Sequence, residues 1–170
     1  PPECIQLEPV FRGGNRPIED PVLAVRKLFM LNWYDDVMWS HAANPRIVDI
    51  IADLLGTDDL KVYNDQAFMK AAETGSAQPW HQDSASWRDI FPMDLVTAWT
   101  AIDAATAQNG CLNFAVGTHR WGMMTKEQLE PHLEDLGGAC FPIVEAPLRP
   151  GSISFHHSLT LHRSGANQSG

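Results

Sequence analysis

Residues 80–87, WHQDSASW, place an imidazole at His81 and a carboxylate at Asp83 two positions apart, between Trp80 and Trp87. In an extended strand, residues i and i+2 point to the same face, so this pair can present a nitrogen and an oxygen to one point in space. That is part of a metal site, although a lone His-x-Asp is also a common hydrogen-bonded surface pair. A further ligand must come from elsewhere, and the other histidines are His41, His119, His132, His156, His157 and His162. Read as one unbroken strand, residues 152–162 (SISFHHSLTLH) put His156 and His162 on a polar face and His157 opposite. Pattern alone leaves His156 and His162 as the two candidates.

Two histidines and one carboxylate on one face of an octahedral metal suit non-haem Fe(II), because the open positions admit a co-substrate and O₂ together. A structural zinc site would favour four protein ligands, usually thiolates. Cys4, Cys111 and Cys140 are odd in number, widely spaced and without a CxxC pair, so neither a disulfide framework nor a zinc knuckle is expected, and a reducing cytoplasm fits better.

The elements that must carry these side chains can be read from pattern. Residues 1–20, with Pro1, Pro2, Pro9, Gly13, Gly14 and Pro17, read as an extended or loop segment on the surface. Val22, Val25, Leu28, Phe29, Asn32 and Trp33 have helical spacing, and a second helix is expected over 34–42. The strongest signal follows: Asn44 as N-cap, Pro45 in the first helical position, a buried stripe of Ile47, Val48, Ile50, Ile51, Leu54 and Leu55, and Gly56 as the stop. Beyond it, strands are expected over 61–71, 78–83, 95–101, 111–115 and 152–162, with Asn109-Gly110 as a tight turn. A helix starting at Thr125 and ending at Gly137-Gly138 interrupts them. Helices first and short strands after predict an α+β, mainly β domain built around a sandwich or barrel.

The chain has 170 residues, enough for one domain, and residues 1–170 are taken as one. Its net charge of −9 with no basic run argues against nucleic acid, and its apolar runs are too short to span a membrane. It opens on Pro1-Pro2 without Met and stops in RSGANQSG, so it reads as incomplete at both ends.

In order and spacing, HQD from His81, then DLVTAWTAIDAATAQNGCLNFAVGTHRWG, then GSISFHHSLTLHRSGANQS resemble the phytanoyl-CoA hydroxylase family of Fe(II)- and 2-oxoglutarate-dependent dioxygenases. The resemblance implies a double-stranded β-helix, a cupin-like jelly-roll barrel with buttressing helices. It assigns Fe(II) to His81, Asp83 and His162, with 2-oxoglutarate and O₂ as co-substrates, and it gives His156 no ligand role. Retention of Asp83 favours hydroxylation over halogenation, since related halogenases carry a small residue there. It implies further that Ser164 binds the distal carboxylate of 2-oxoglutarate and that Trp99 lies near it. Gln66 and Lys70 fall where relatives contact co-substrate or substrate, and Trp87 where a tryptophan borders the active site of ectoine hydroxylases. Trp80 is expected to pack, and His119 and Asn109 to have structural roles. The family's arginine for the distal carboxylate would fall beyond Gly170. The expected activity is hydroxylation of a small organic molecule with release of succinate and CO₂. Desaturation, cyclisation or epoxidation at the same iron site is an alternative, as is a cupin-like binding domain without turnover.

Overall fold

Asn44 and Gly56 delimit a helix by the mechanism their types suggest. In this computed structural model, which describes residues 2–14, 16–87, 90–137 and 141–169, the Asn44 side chain accepts the Arg46 N–H and Gly56 closes the helix at φ 69°. That helix follows a shorter one, α1 (Asp36–Ala42), and is α2 (Pro45–Leu55); Asp35 caps α1 by accepting from Val37 and Met38. The apolar stripe of α2 is narrower than expected. Ile47 is buried and Val48, Ile51 and Leu55 are half-buried, but Ile50 and Leu54 are exposed. Gly138 and Cys140 lie outside the described residues.

The chain divides into two compact units, residues 1–76 with 166–170, and residues 77–165. The first holds α1, α2 and an antiparallel sheet in the order β1 (Ile5–Leu7), β2 (Val25–Phe29), β3 (Gln66–Phe68). The expected helix from Pro21 is therefore a strand. Its apolar spacing fits a helix, but Ile5 pairs with Leu28 and Lys27 with Phe68, and hydrogen bonding on both edges overrides a local periodicity that left Val22 and Leu23 exposed. Residues 5–7 are extended, within the expectation for 1–20, but the stretch does not lie wholly on the surface. Glu8 is wholly buried, and its carboxylate binds the buried Arg26 guanidinium and the Ser76 hydroxyl.

The second unit carries two antiparallel sheets. One has four strands in the order β4 (Gln78–His81), β9 (His162–Ser164), β6 (Leu112–Ala115), β7 (Ile143–Ala146), and the other pairs β5 (Val96–Thr100) with β8 (Ile153–His157). Among the described residues no sheet closes on itself, so the architecture is mixed α/β with antiparallel sheets and not a sealed barrel. Helix α3 (Lys126–Gly137) starts in a capping box, Thr125 and Gln128 each accepting the other's N–H. Ala115, Leu129 and Leu161 form a buried cluster against which Trp80, Met124 and Phe141 pack, as expected for Trp80.

The strand expected over 152–162 is broken. A turn closed by the Thr160 N–H on the His157 carbonyl separates β8 from β9, and the chain crosses from the two-stranded sheet to the four-stranded one. Leu161, fully buried, anchors the crossing, and its N–H donates to the Thr118 hydroxyl. Asn109 and Gly110 make a tight turn as expected, with Asn109 bonded to Thr106 and Ala104 and Gly110 at φ 86°.

Candidate metal centre

His81 is the last residue of β4, and Asp83 opens a one-turn 3-10 helix over Asp83–Ser86. The expected strand over 78–83 therefore stops short. Gln82 between them keeps an extended backbone (φ −107°, ψ 134°), so the alternation that turns both side chains to one side survives the change of element. His162, opening β9, pairs directly with His81 across the sheet. One ligand atom from each of His81, Asp83 and His162 lies within 4.8 Å of the others, and this is the triad the resemblance implied. Nε2 of His81 and Nε2 of His162 each stand 3.6 Å from Oδ1 of Asp83.

The tautomers follow from the opposite edges of the rings. Nδ1 of His81 is 2.9 Å from the Pro79 carbonyl and Nδ1 of His162 is 2.9 Å from the Thr160 carbonyl. A carbonyl only accepts, so each Nδ1 carries the hydrogen and each Nε2 turns a lone pair to Asp83. Two neutral imidazoles fixed from behind and one carboxylate form a donor set that fits Fe(II) with open positions. Without a metal, the same groups act on one another's protons. Burial alone would raise the Asp83 pKa, but the imidazoles of His156, His81 and His162 hold it well below the usual carboxylate range. Burial, reinforced by the neighbouring His81, lowers the His162 pKa to about 4, which keeps its ring neutral near pH 7.

Several residues that pattern reading passed over hold this geometry. Gln82 is buried, with its amide donating to the Gly122 and Leu159 carbonyls and its carbonyl accepting the Met124 N–H. It ties the segment between the two ligands to the turn before His162. Ser84 and Ser158 make a second tie, hydroxyl to hydroxyl at 2.7 Å and Ser84 N–H to the Ser158 carbonyl. The Thr97 hydroxyl donates to Oδ2 of Asp83 at 2.9 Å. A threonine alternating with apolar residues in VTAWT was the available signal, but its partner emerges only from the fold.

Other anticipated residues are placed as follows. Ser164 lies two residues past His162 in β9 and by alternation shares its face, and Trp99 shares the face of Thr97 in β5. Trp87 follows the Asp83–Ser86 turn, donating its backbone N–H to Ser84. Gln66 and Lys70 belong to the first unit, where Gln66 Oε1 lies 3.5 Å from Lys27 Nζ and the Lys70 carbonyl accepts from Asn167; their assigned contacts rest on the resemblance alone. His119 forms part of the wall of a cavity of about 390 Å³, together with Phe114, Val116, Phe155, His156 and His157. His157 accepts the Leu159 N–H on Nδ1, so its neutral ring carries hydrogen on Nε2. Arg163 turns to the opposite face and lies 4.8 Å over the Trp80 ring.

Comparison with known proteins gives a consistent set of similarities. The profile of the family described as phytanoyl-CoA dioxygenase (PhyH) matches residues 19–170. A probable phytanoyl-CoA dioxygenase of Caenorhabditis elegans is 28% identical over 149 residues, covering 79% of this chain and 47% of the relative. L-proline trans-4-hydroxylase of Streptomyces griseoviridis is 33% identical over 110 residues, covering 63% of this chain and 41% of the relative. The crystal structure of EctD from S. alaskensis with 2-oxoglutarate and 5-hydroxyectoine superposes with a TM-score of 0.72 at 25% identity, covering 85% of this chain and 51% of that one. The chain spans about half the length of the curated relatives it matches.

Proposed function

We infer that the chain, which belongs to the phytanoyl-CoA dioxygenase (PhyH) family, carries the iron centre of an Fe(II)- and 2-oxoglutarate-dependent oxygenase that hydroxylates a small organic molecule. The observation that carries this reading is the convergence of His81, Asp83 and His162 within 4.8 Å, with both imidazoles fixed through Nδ1. Iron with O₂ and 2-oxoglutarate supplies the oxidising chemistry, the 2-oxo acid leaving as succinate and CO₂.

The residues of the chain supply geometry and shelter. Nε2 of His81, Oδ1 of Asp83 and Nε2 of His162 hold the metal, and the Pro79 and Thr160 carbonyls keep the two rings in the ligating tautomer. Ser164, on the face of His162, binds the distal carboxylate of 2-oxoglutarate, and Trp99 lines the same space. The cavity walled by Phe114, Phe155 and His157 receives the substrate; its volume and mixed apolar and imidazole lining suit a small molecule. The assignment of Trp87 to the substrate rests on the family resemblance alone. The two sheets of the second unit are read as the faces of a double-stranded β-helix. A reducing cytoplasm suits three widely spaced cysteines without a CxxC pair.

The test is Fe(II)-dependent turnover by the full-length protein. Addition of Fe(II), O₂ and 2-oxoglutarate should release succinate, and Asp83→Ala should abolish that release. A full-length protein that neither binds nor consumes 2-oxoglutarate, or an alanine variant with unchanged turnover, contradicts the reading.

A further inference from the structure

His156 is an imidazole of the second unit that stands against the triad without belonging to it. It is 8% exposed, and neither ring nitrogen has a hydrogen-bond partner among the described residues. A buried polar group in that condition calls for an explanation. Its ring is enclosed by Phe114, at a centroid distance of 5.0 Å, and by His162, at 4.7 Å. Its Nε2 lies 3.4 Å from Oδ2 of Asp83, close but short of hydrogen-bond alignment.

The two oxygens of Asp83 face different neighbours. Oδ1 faces the Nε2 atoms of His81 and His162, whereas Oδ2 accepts from Thr97 and faces His156. Thr97 and His156 are direct partners in the β5–β8 register, so a single rung of that sheet delivers both groups to the same oxygen. A carboxylate whose second oxygen is unoccupied can turn and take two metal positions, one of them needed by the co-substrate. A carboxylate held by two donors on Oδ2 cannot turn without losing both.

We propose that His156 is a positioning residue of the metal centre: with Thr97 it holds Oδ2 of Asp83, by donating its Nε2–H, and so presents Oδ1 alone to the metal. The proposal rests on the reading of His81, Asp83 and His162 as iron ligands. It assigns His156 no bond to the metal.

Equilibrium titration of the metal-free full-length protein with Co(II), which takes the same nitrogen and oxygen donors, tests this without turnover. His156→Phe removes the donor and should weaken Co(II) binding about 10- to 100-fold, whereas His156→Gln, whose amide can donate, should stay within about threefold of the wild type. Thr97→Val combined with His156→Phe should lose less than the product of the two single losses, because both groups act on one oxygen. Near-ultraviolet circular dichroism of the metal-free proteins checks folding, and His156→Leu serves as the donor-less variant if phenylalanine does not fit. Wild-type affinity in the donor-less variant, or glutamine binding as weakly as that variant, overturns the proposal. A Co(II) spectrum showing one nitrogen ligand fewer after His156→Gln overturns it too, by making His156 a ligand. Failure of the wild type to bind Co(II), or unchanged binding by Asp83→Ala, removes the triad itself.

Discussion

Asp83 and His162 illustrate how closely packed ionisable groups set each other's state. Burial pushes the Asp83 carboxyl up but its imidazole neighbours outweigh it and keep the carboxyl acidic, whereas burial is the main cause that keeps His162 neutral. The second shift has a consequence for stability. A histidine whose pKa falls from 6.5 in the unfolded chain to about 4 in the folded one contributes nothing to pH dependence above pH 6.5. As pH falls from 6.5 toward 4 the unfolded chain takes the proton first, and stability is lost across that window. The metal-free protein should lose about 2 kcal/mol of unfolding free energy through this group between pH 7 and pH 5. Urea denaturation at the two pH values measures it, and His162→Gln should remove most of the difference. An undiminished pH dependence in that variant would place its origin in other groups.

The site depends less on any strand than on a crossing between strands. β8 delivers His156, the turn after His157 carries the chain to the other sheet, and β9 then delivers His162. Gln82 fastens this turn to the His81-Asp83 segment through the Leu159 carbonyl, and ties both to the stretch before α3 through the Gly122 carbonyl and the Met124 N–H, all inside the second unit. Replacement by leucine keeps the bulk but leaves two carbonyls and one N–H without partners, at about 1–3 kcal/mol for each group that stays dry. Gln82→Leu should therefore lower the thermal midpoint of the metal-free protein clearly and weaken metal binding as well. A variant with wild-type stability and metal affinity would show that the tie is dispensable.

At this scale, what could be read in advance depended on whether the signal was local. Helix α2 was legible because Asn44, Pro45 and Gly56 each act on their own backbone. The helical spacing of residues 22–33 misleads because the strand character of β2 comes from pairing with β1 and β3, which no local periodicity encodes. The short strands β1 and β7 were not anticipated for the same reason. Alternation alone does not choose between His156 and His162, and the place of His156 beside Oδ2 depends on the register between β5 and β8.

For the molecule as a whole, the metal triad was the most legible feature because HQD and the distant His162 sit in a long ordered series of motifs. The triad lies wholly within the second unit, which carries two antiparallel sheets, in a chain of the phytanoyl-CoA dioxygenase family. Among the described residues no helix is long and apolar enough to cross a membrane. The claim that binds these levels together is that one iron ion sits between His81, Asp83 and His162. Anomalous diffraction at the iron absorption edge, from crystals of the full-length protein grown anaerobically with Fe(II), tests it most directly. The expected result is one peak bonded to Nε2 of His81, Oδ1 of Asp83 and Nε2 of His162, with His156 unbonded to it. No peak at the triad, or a peak ligated by His156 in place of His162, would contradict the account.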